Sequence, residues 1–302
     1  VPNSLTEQMG NDFRKLYPNA NILVATQKDF DRKNRMQLLG KIAANDWDAV
    51  IVGHSQFDRM GLSPEREKAY LTAEIDKLRE ELENAGAEKS FTVKQIEKTL
   101  TKYEDKLQKI NDGQVKDDFI DFEQLGFDKL FVDESHMYKN LATPTKMKNV
   151  SGLGSQGSAR AFGLLMKGKY LDELTGGKGM VFASGTPVSN SMTELYTLMR
   201  YLQADTLKEC GINHFDEWAA DFGEVKTDYE LKPESDGKYQ LKTRFAKFTN
   251  LPELMGMFKE CADIRTADTL NLEKPKAIVK EIVADPSKVQ KRAIKSLGKR
   301  AA

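Results

Sequence analysis

The chain of 302 residues is long enough for one large domain or two ordinary ones, and 39% of its residues are hydrophobic and 30% charged. Its 46 basic and 46 acidic side chains cancel, which excludes an overall positive field for nucleic acid or anionic membranes; only a local basic face could supply one. Cys210 and Cys261 are too few for a disulfide framework or a zinc site and favour a reducing compartment. With no apolar run of about 18 residues and no signal peptide, we expect a cytoplasmic protein without a membrane partner.

Helices and short apolar strands alternate over roughly the first 200 residues. Ser4 and Glu7 predict a capping box that opens a helix running to about Leu16. Continuous apolar strands that alternate with helices are typical of a parallel sheet covered on both faces, so the predicted fold class is α/β. The predicted strands are 21–26, 48–57, 128–134 and 178–184, and the further helices are 32–46, 158–174 and 190–203.

Residues 63–111 interrupt this alternation. Their apolar residues recur at alternating spacings of three and four, which is typical of a seam between two helices. Ser63-Pro64 opens the first helix and Gly86 closes it, which predicts an inserted antiparallel helical hairpin that can be removed without unfolding the rest. The hairpin is either a structural spacer or an arm that contacts a partner or nucleic acid.

The pattern changes again after residue 203. Residues 225–245 predict a β-hairpin that turns near Asp236-Gly237, with helices on either side. The apolar run 276–285 predicts a strand, and a short helix follows Pro286.

Two adjacent carboxylates end the strand in "KLFVDESHMYKNL", residues 129–141. A solvated strand end would explain them, but an apolar strand followed by Asp-Glu and then His136 is also the Walker B pattern. In that interpretation Asp133 holds magnesium through its waters, Glu134 orients or deprotonates the attacking water, and His136 relays the nucleotide state. The pattern therefore predicts a magnesium and ATP site at the end of this strand.

Two other predicted strands also end in polar residues. One ends in "HSQF", which is His54, Ser55, Gln56 and Phe57, and the other in Ser184-Gly185-Thr186-Pro187. Ligands of parallel sheets bind beyond the carboxyl ends of the strands. We therefore expect these two clusters and the acidic pair to meet at one edge of the sheet.

"DESH" followed by "SGTPVSNSMTELYTLMRYL" resembles motifs II and III of superfamily-two helicases, specifically the Swi/Snf-like branch of double-stranded-DNA translocases. "VPNSLTEQMGNDFRKLYP" resembles motif Ia, "DAVIVGHSQF" resembles motif Ic, and 245–290 resembles the stretch that leads out of the first lobe. The resemblance is strongest to the very large helicase-methylase proteins of bacterial mobile elements and phages. It covers about 1–60, 128–203 and 245–290, and the segments 63–111 and 225–245 have no counterpart.

The resemblance implies a RecA-like lobe and a role for each matching residue. Asp133 and Glu134 match the magnesium-binding and water-activating acids, and Ser184, Gly185 and Thr186 match the element that couples ATP to DNA. The expected partner is double-stranded DNA bound without sequence preference, in a salt-sensitive manner, through its phosphates. The nucleic-acid-binding residues implied are Ser4, His54, Ser55, Gln56 and Asn190.

The chain also departs from the family. Walker A, which would lie upstream of Val1, is absent, and "TGGKGM" leads into a predicted strand rather than a helix. The second lobe, with its arginine finger, would follow Ala302, so missing segments of the same polypeptide are expected partners. The implied domains are an incomplete first RecA-like lobe (1–203, with insertion 63–111), an extension (204–275) and a linker or start of the second lobe (276–302). Magnesium and ATP are expected in the intact protein, with neither bound tightly by this inactive fragment.

Two rival functions remain open from the sequence. An RNA-directed superfamily-two helicase would carry similar motifs, although "SGTP" followed by Asn190 favours the double-stranded-DNA branch. A non-catalytic scaffold would use the helical hairpin to recruit a partner and would retain the acidic pair without using it. "GLGSQG" (152–157) fits G-x-G-x-x-G but follows no buried strand, which favours a flexible loop over a dinucleotide site.

Overall fold

The computed structural model describes residues 1–31, 33–85, 91–112, 120–145, 147, 150–151, 157–189, 191–231, 239–266, 269–270 and 277–301. The chain forms two compact units, Val1–Asp221 and Phe222–Ala302. Within the described residues, none of the helices combines the length and the apolar character that crossing a bilayer requires.

The first unit is a mixed α/β structure, which confirms the predicted class. Its helices are α1 (Thr6–Leu16), α2 (Arg35–Ala43), α3 (His54–Phe57), α4 (Pro64–Ala85), α5 (Phe91–Asn111), α6 (Ala159–Thr175), α7 (Thr193–Leu202), α8 (Ala204–Glu209) and α9 (Phe215–Phe222), whose last residue begins the second unit. Its strands are β1 (Ile22–Val24), β2 (Ala49–Ile51), β3 (Leu130–Val132), β4 (Val150–Ser151) and β5 (Met180–Phe182). Short 3₁₀ turns lie at Asn3–Leu5, Gln27–Phe30, Phe122–Leu125 and Ser135–Tyr138.

Each of the four predicted strands forms over three residues, but the predicted strand 48–57 is wrong at 54–57, which form helix α3. β1 pairs in parallel with β2, and β3 pairs in parallel with β5, with Val132 opposite Phe182. In the described part of the chain these are two separate parallel pairs, so one continuous RecA-like sheet stays a prediction. The pairing of β3 with β5 brings the ends of these two strands together.

Helix α6 is the central helix of the first unit, because it is buried around most of its circumference, as expected of an interior helix. The Ser158 hydroxyl caps its N-terminus by accepting a hydrogen bond from Ala161 N (3.1 Å), and Gly176 ends it in the left-handed conformation. Gly168 leaves room for Met180 of β5, because a Cβ there would overlap the end of the Met180 side chain and force it to move. The buried residues of α6 are Ala161, Phe162, Leu164, Leu165, Met166, Lys167, Gly168 and Leu171.

The inserted hairpin forms as predicted but belongs to the same core as α6. Ion pairs of Arg79 with Glu104 and of Lys106 with Glu67 link α4 to α5. Because only residues 86–90 separate these two long helices, which pack against each other, they run antiparallel. The ring of Tyr103 stacks on Phe162 of α6 with 4.6 Å between centroids. Leu71, Ile75, Leu78, Ile96 and Tyr103 of the hairpin all lie in the hydrophobic cluster that also contains the buried residues of α6. This shared core argues against a hairpin that can be removed cleanly.

The second unit contains the predicted β-hairpin. Strands β6 (Gly223–Leu231) and β7 (Tyr239–Phe248) are antiparallel, and their predicted turn lies outside the described residues. They are followed by α10 (Leu251–Lys259) and α11 (Lys288–Ala301). The strand predicted at 276–285 is wrong over its described residues 277–285, which have no regular structure. An apolar run forms a strand only where a neighbour completes the ladder of hydrogen bonds, and Ile278, Val279, Ile282 and Val283 are all more than 80% exposed.

Candidate functional site

The acidic pair lies at the carboxyl end of β3, beside the end of β5. Ser135 N donates a hydrogen bond to Ala183 O (3.0 Å), and Ala183 N donates one to Val132 O (2.9 Å). The backbone of the acidic turn is therefore fixed to the chain that follows β5. Glu134 itself has φ 50° and ψ 49°, a left-handed conformation that costs a residue with a side chain about 1–2 kcal/mol. Strained residues of this kind concentrate at functional sites, because only surrounding structure can hold them.

His136 connects the acidic turn to the loop after β5. Its Nδ1 lies 3.0 Å from Glu134 Oε2, 3.2 Å from Ser184 Oγ and 3.4 Å from Thr186 Oγ1. The Ser184 hydroxyl oxygen also accepts a hydrogen bond from Thr186 N (3.1 Å), which holds the two hydroxyl residues close together. The structure thus brings together four of the residues that the sequence predicted for catalysis and coupling. Gly185, which the sequence also predicted for coupling, lies exposed between Ser184 and Thr186.

His54 is buried against the acidic turn and hydrogen-bonds its backbone. It is 4% exposed, its Nε2 donates to Asp133 O (2.9 Å), and its Nδ1 lies 3.1 Å from Met137 Sδ. Because the acceptor is a backbone carbonyl, the proton of the neutral ring is on Nε2. Burial lowers the pKa of His54 to about 4, which keeps the ring neutral at physiological pH. The His54 ring faces the protein interior in this structure. The predicted contact of this side chain with nucleic acid stays a prediction.

The predicted Ia and Ic segments lie side by side. Asn3 Nδ2 donates to Ser55 Oγ (2.7 Å), and Ser55 N donates to Asn3 Oδ1 (3.2 Å). Gly53 permits this approach, because a Cβ at that position would overlap the Asn3 amide and the Gln56 side chain. Gln56 is 4% exposed, so Ser55 is the more accessible residue of this turn.

The predicted capping box at Ser4 is wrong. Helix α1 begins at Thr6 with Leu5 at the N-cap position, and no side chain caps it. Ser4 lies exposed in the preceding 3₁₀ turn, where Thr6 Oγ1 donates to Asn3 O (2.8 Å) and closes the turn. The exposed position of Ser4 leaves its predicted role in phosphate binding open, and Asn190 lies outside the described residues.

Sequence reasoning missed two residues that hold the loop after β5. Lys139 Nζ donates to Ser189 Oγ (2.6 Å) and lies 3.0 Å from Glu194 Oε1. The other carboxylate oxygen of Glu194 accepts a hydrogen bond from Ser189 N (2.6 Å). For Glu194 a sequence signal was available. It is an acidic residue in the first turn of the helix after "SGTP", where the helix dipole favours negative charge.

The donor set at the acidic turn fits magnesium shared with phosphates. Asp133 is partly exposed at the strand end, and the hydroxyls of Ser184 and Thr186 lie on the neighbouring strand end. In the part of the chain that the structure describes, no three His, Cys, Asp or Glu side chains converge to hold a metal ion by themselves. Magnesium commonly uses one or two carboxylates together with water and substrate phosphates, which is what Asp133 can provide.

The glycine- and lysine-containing segment before β5 ends a helix. Gly176 and Gly177 have φ 67° and 80°, and Gly177 N donates to Asp172 O (2.9 Å) as part of the C-terminal cap of α6. The chain then enters β5 at Met180, which confirms that "TGGKGM" leads into a strand. A phosphate-binding loop of the Walker A kind leads into a helix instead.

A family model described as a probable helicase domain matches residues 3–266. Among curated proteins, the chain is 29% identical over 150 residues to the "Defense against restriction protein B" of Escherichia phage P1. This match covers 49% of the chain and 7% of the phage protein, so the chain spans a small part of the length of that relative. No solved structure matches the chain.

Proposed function

Because the chain belongs to the family of probable helicase domains, we propose that it is a lobe of an ATP-driven motor that moves on double-stranded DNA. The observation that best supports this proposal is the position of His136 between Glu134 and the hydroxyls of Ser184 and Thr186. A carboxylate that acts on the nucleotide and a loop that responds to it need a physical connection. His136 lies within hydrogen-bond reach of both.

Each residue of the acidic turn has a distinct role in this proposal. Glu134 is 41% exposed, so its carboxylate can accept a proton from a water molecule or orient that molecule towards a phosphate. Asp133 is the protein ligand of magnesium, which when bound neutralises the phosphate charge. His54 holds the backbone of Asp133 through its carbonyl, so the carboxylates project from a fixed position.

The proposal places this lobe in a longer polypeptide that supplies a phosphate-binding loop and an arginine from a second lobe. The β3–β5 pair supports this view, because Phe131 and Val181 lie opposite each other in register and are 68% and 41% exposed. Parallel sheets are ordinarily covered on both faces, so further polypeptide is expected on this one. In this assignment 1–203 is the first RecA-like lobe, 204–275 its extension, and 276–302 a linker or the start of the second lobe.

DNA binding is assigned to the surface formed by the Ia and Ic segments. The Asn3–Ser55 hydrogen bonds hold the exposed Ser4 turn against the turn that contains Ser55, which makes one continuous surface. Its contacts would be polar groups to phosphates, so we expect affinity to fall steeply with salt and to vary little with sequence.

The hairpin is a poor candidate for recruiting a partner through its apolar seam. That seam is buried in the core shared with α6, so a scaffold function would have to use the exposed side of the hairpin. The exposed side of α5 mixes lysines with Glu97 and Asp105, and none of its described side chains is large and apolar. A solvated surface explains this side without a partner.

The decisive test is Glu134→Gln in the intact polypeptide, with ATP turnover measured in the presence of duplex DNA and of duplex RNA. Turnover should fall by on the order of 10³-fold or more while nucleotide binding remains, because the water-activating carboxylate is lost. Glu173→Gln, at an exposed glutamate that pairs with Arg66, is the matched control and should turn over normally. Near-normal turnover by Glu134→Gln would contradict the assignment, and stimulation by RNA alone would show an RNA-directed motor.

A further inference from the structure

The loop after β5 is exposed but anchored at both ends to the same turn. Residues 185–189 are all exposed and have no regular structure. His136 contacts the loop at its start, through the Ser184 hydroxyl (3.2 Å). Lys139, three residues further along the acidic segment, contacts it at its end, through the Ser189 hydroxyl (2.6 Å). The segment that carries the acidic pair therefore holds both ends of this loop.

The two anchors differ in burial. His136 is 35% exposed, whereas the side chains of Lys139 and Glu194 are 19% and 8% exposed. Charged hydrogen bonds that are shielded from water are stronger than exposed ones, so the Lys139 anchor is the firmer of the two. The Lys139 anchor also connects the acidic segment to α7, because Glu194 belongs to the first turn of that helix.

Helix α7 is a rigid element through which movement of this anchor can spread. All but two of its ten residues are buried, and Arg200 near its other end donates to Ala142 O (2.6 Å). A shift of the acidic segment that pulled on Lys139 would move the loop and the start of α7 together. Nothing else in the proposed function assigns a role to Lys139 or Glu194.

We infer that Lys139 is a positioning residue that, through Glu194 and Ser189, transmits the nucleotide state of the acidic turn to the loop and to α7. The role in transmitting the nucleotide state rests on the proposed function. The contacts of Lys139 with Ser189 and Glu194 can be tested without ATP. Lys139 touches neither nucleotide nor DNA in this assignment. Its effect is to keep Ser184 and Thr186 within reach of His136.

The first experiment uses the 302-residue chain and the variant Lys139→Met, which keeps a long apolar stem and removes the charge. Hydrogen–deuterium exchange over 183–192 should become about tenfold faster, since a charged hydrogen bond that held the loop is lost. Lys139→Arg should restore slow exchange, because it keeps a cation at the same place. Lys15→Met, which removes a cation from Asp12 on α1, should leave exchange over 183–192 unchanged. Unchanged exchange in Lys139→Met would overturn the inference.

The second experiment uses the intact polypeptide. Lys139→Met should lower the DNA-stimulated maximal rate of ATP hydrolysis by about tenfold while the KM for ATP stays the same, because a positioning residue acts after nucleotide binding. A variant that kept full stimulation would overturn the inference even if its loop exchanged faster. Absence of ATP hydrolysis in the unsubstituted polypeptide would instead contradict the proposed function. The exchange result would then stand by itself as evidence for or against the anchor.

Discussion

Glu74 and Glu134 are the same residue type in the same unit, and the structure uses them in opposite ways. Glu74 is buried and surrounded by cations, with Lys169 Nζ at 2.7 Å, Lys77 Nζ at 3.5 Å and Arg200 Nη2 at 3.7 Å. Burial alone would raise the pKa of Glu74, but these cations outweigh it and lower the pKa to about 2. Glu134 is 41% exposed, has a strained backbone and lies beside His136.

This contrast separates stability from the proposed chemistry. Glu74 joins α4 of the hairpin to Lys169 of α6 and Arg200 of α7, so its charge holds three helices together. Glu134 costs conformational energy and is left accessible to solvent. Substitutions around Glu74 should therefore change the free energy of unfolding, whereas substitutions of Glu134 should change activity with little loss of stability.

The largest loss of stability is expected from Ile75→Ala, one residue from Glu74 on α4. Ile75 is 2% exposed in the shared core, and truncating such a residue costs about 2–5 kcal/mol. Unfolding by urea, followed by circular dichroism, measures this cost. Lys98→Ala on the exposed side of α5 is the matched control and should change stability by less than about 0.5 kcal/mol. A small cost for Ile75→Ala would mean that the hairpin is separable after all.

Residues in and around the hairpin show which packing contacts the sequence pattern predicts and which it does not. The spacing of Leu71, Ile75 and Leu78 predicted the seam between α4 and α5, because periodicity reports which side of a helix is apolar. It could not report that the same side also packs on α6, since that depends on contacts distant in the sequence. Lys139 and Glu194 were missed for the same reason, being 55 residues apart. The ends of β3 and β5 were placed correctly, because parallel strands have their carboxyl ends at one edge.

Glu74→Gln should cost about 1–3 kcal/mol at pH 7, because it keeps the shape of the side chain and leaves its partly exposed cations without their anion. The folded-state pKa of about 2 lies below the unfolded value, so the unfolded chain binds more protons in this range. The contribution of Glu74 is therefore present above about pH 4.5 and is lost as the pH falls towards 2. The variant should lack this part of the acid sensitivity in urea titrations at pH 7 and pH 3. Equal pH dependence in both proteins would contradict the assigned role of Glu74.

His54 should give a separate step at higher pH. Its folded-state pKa of about 4 lies below the ordinary value of 6.5, so its contribution to stability is lost as the pH falls from 6.5 towards 4. His54→Gln should remove this step from the stability profile, whereas Glu74→Gln should keep it. A step that survived in His54→Gln would have to come from another group.

The smallest expected effect concerns Glu134, and its sign is opposite to the others. Glu134→Gly should raise the free energy of unfolding by roughly 0.5 kcal/mol, because glycine adopts the left-handed conformation without strain but loses more entropy on folding. Glu134→Gln is the matched control, since it removes the same charge and keeps the side chain and the strain. Comparing the two by urea unfolding isolates the backbone contribution. If Glu134→Gly were less stable than Glu134→Gln, the contact with His136 would outweigh the strain, and Glu134 would contribute to stability as Glu74 does.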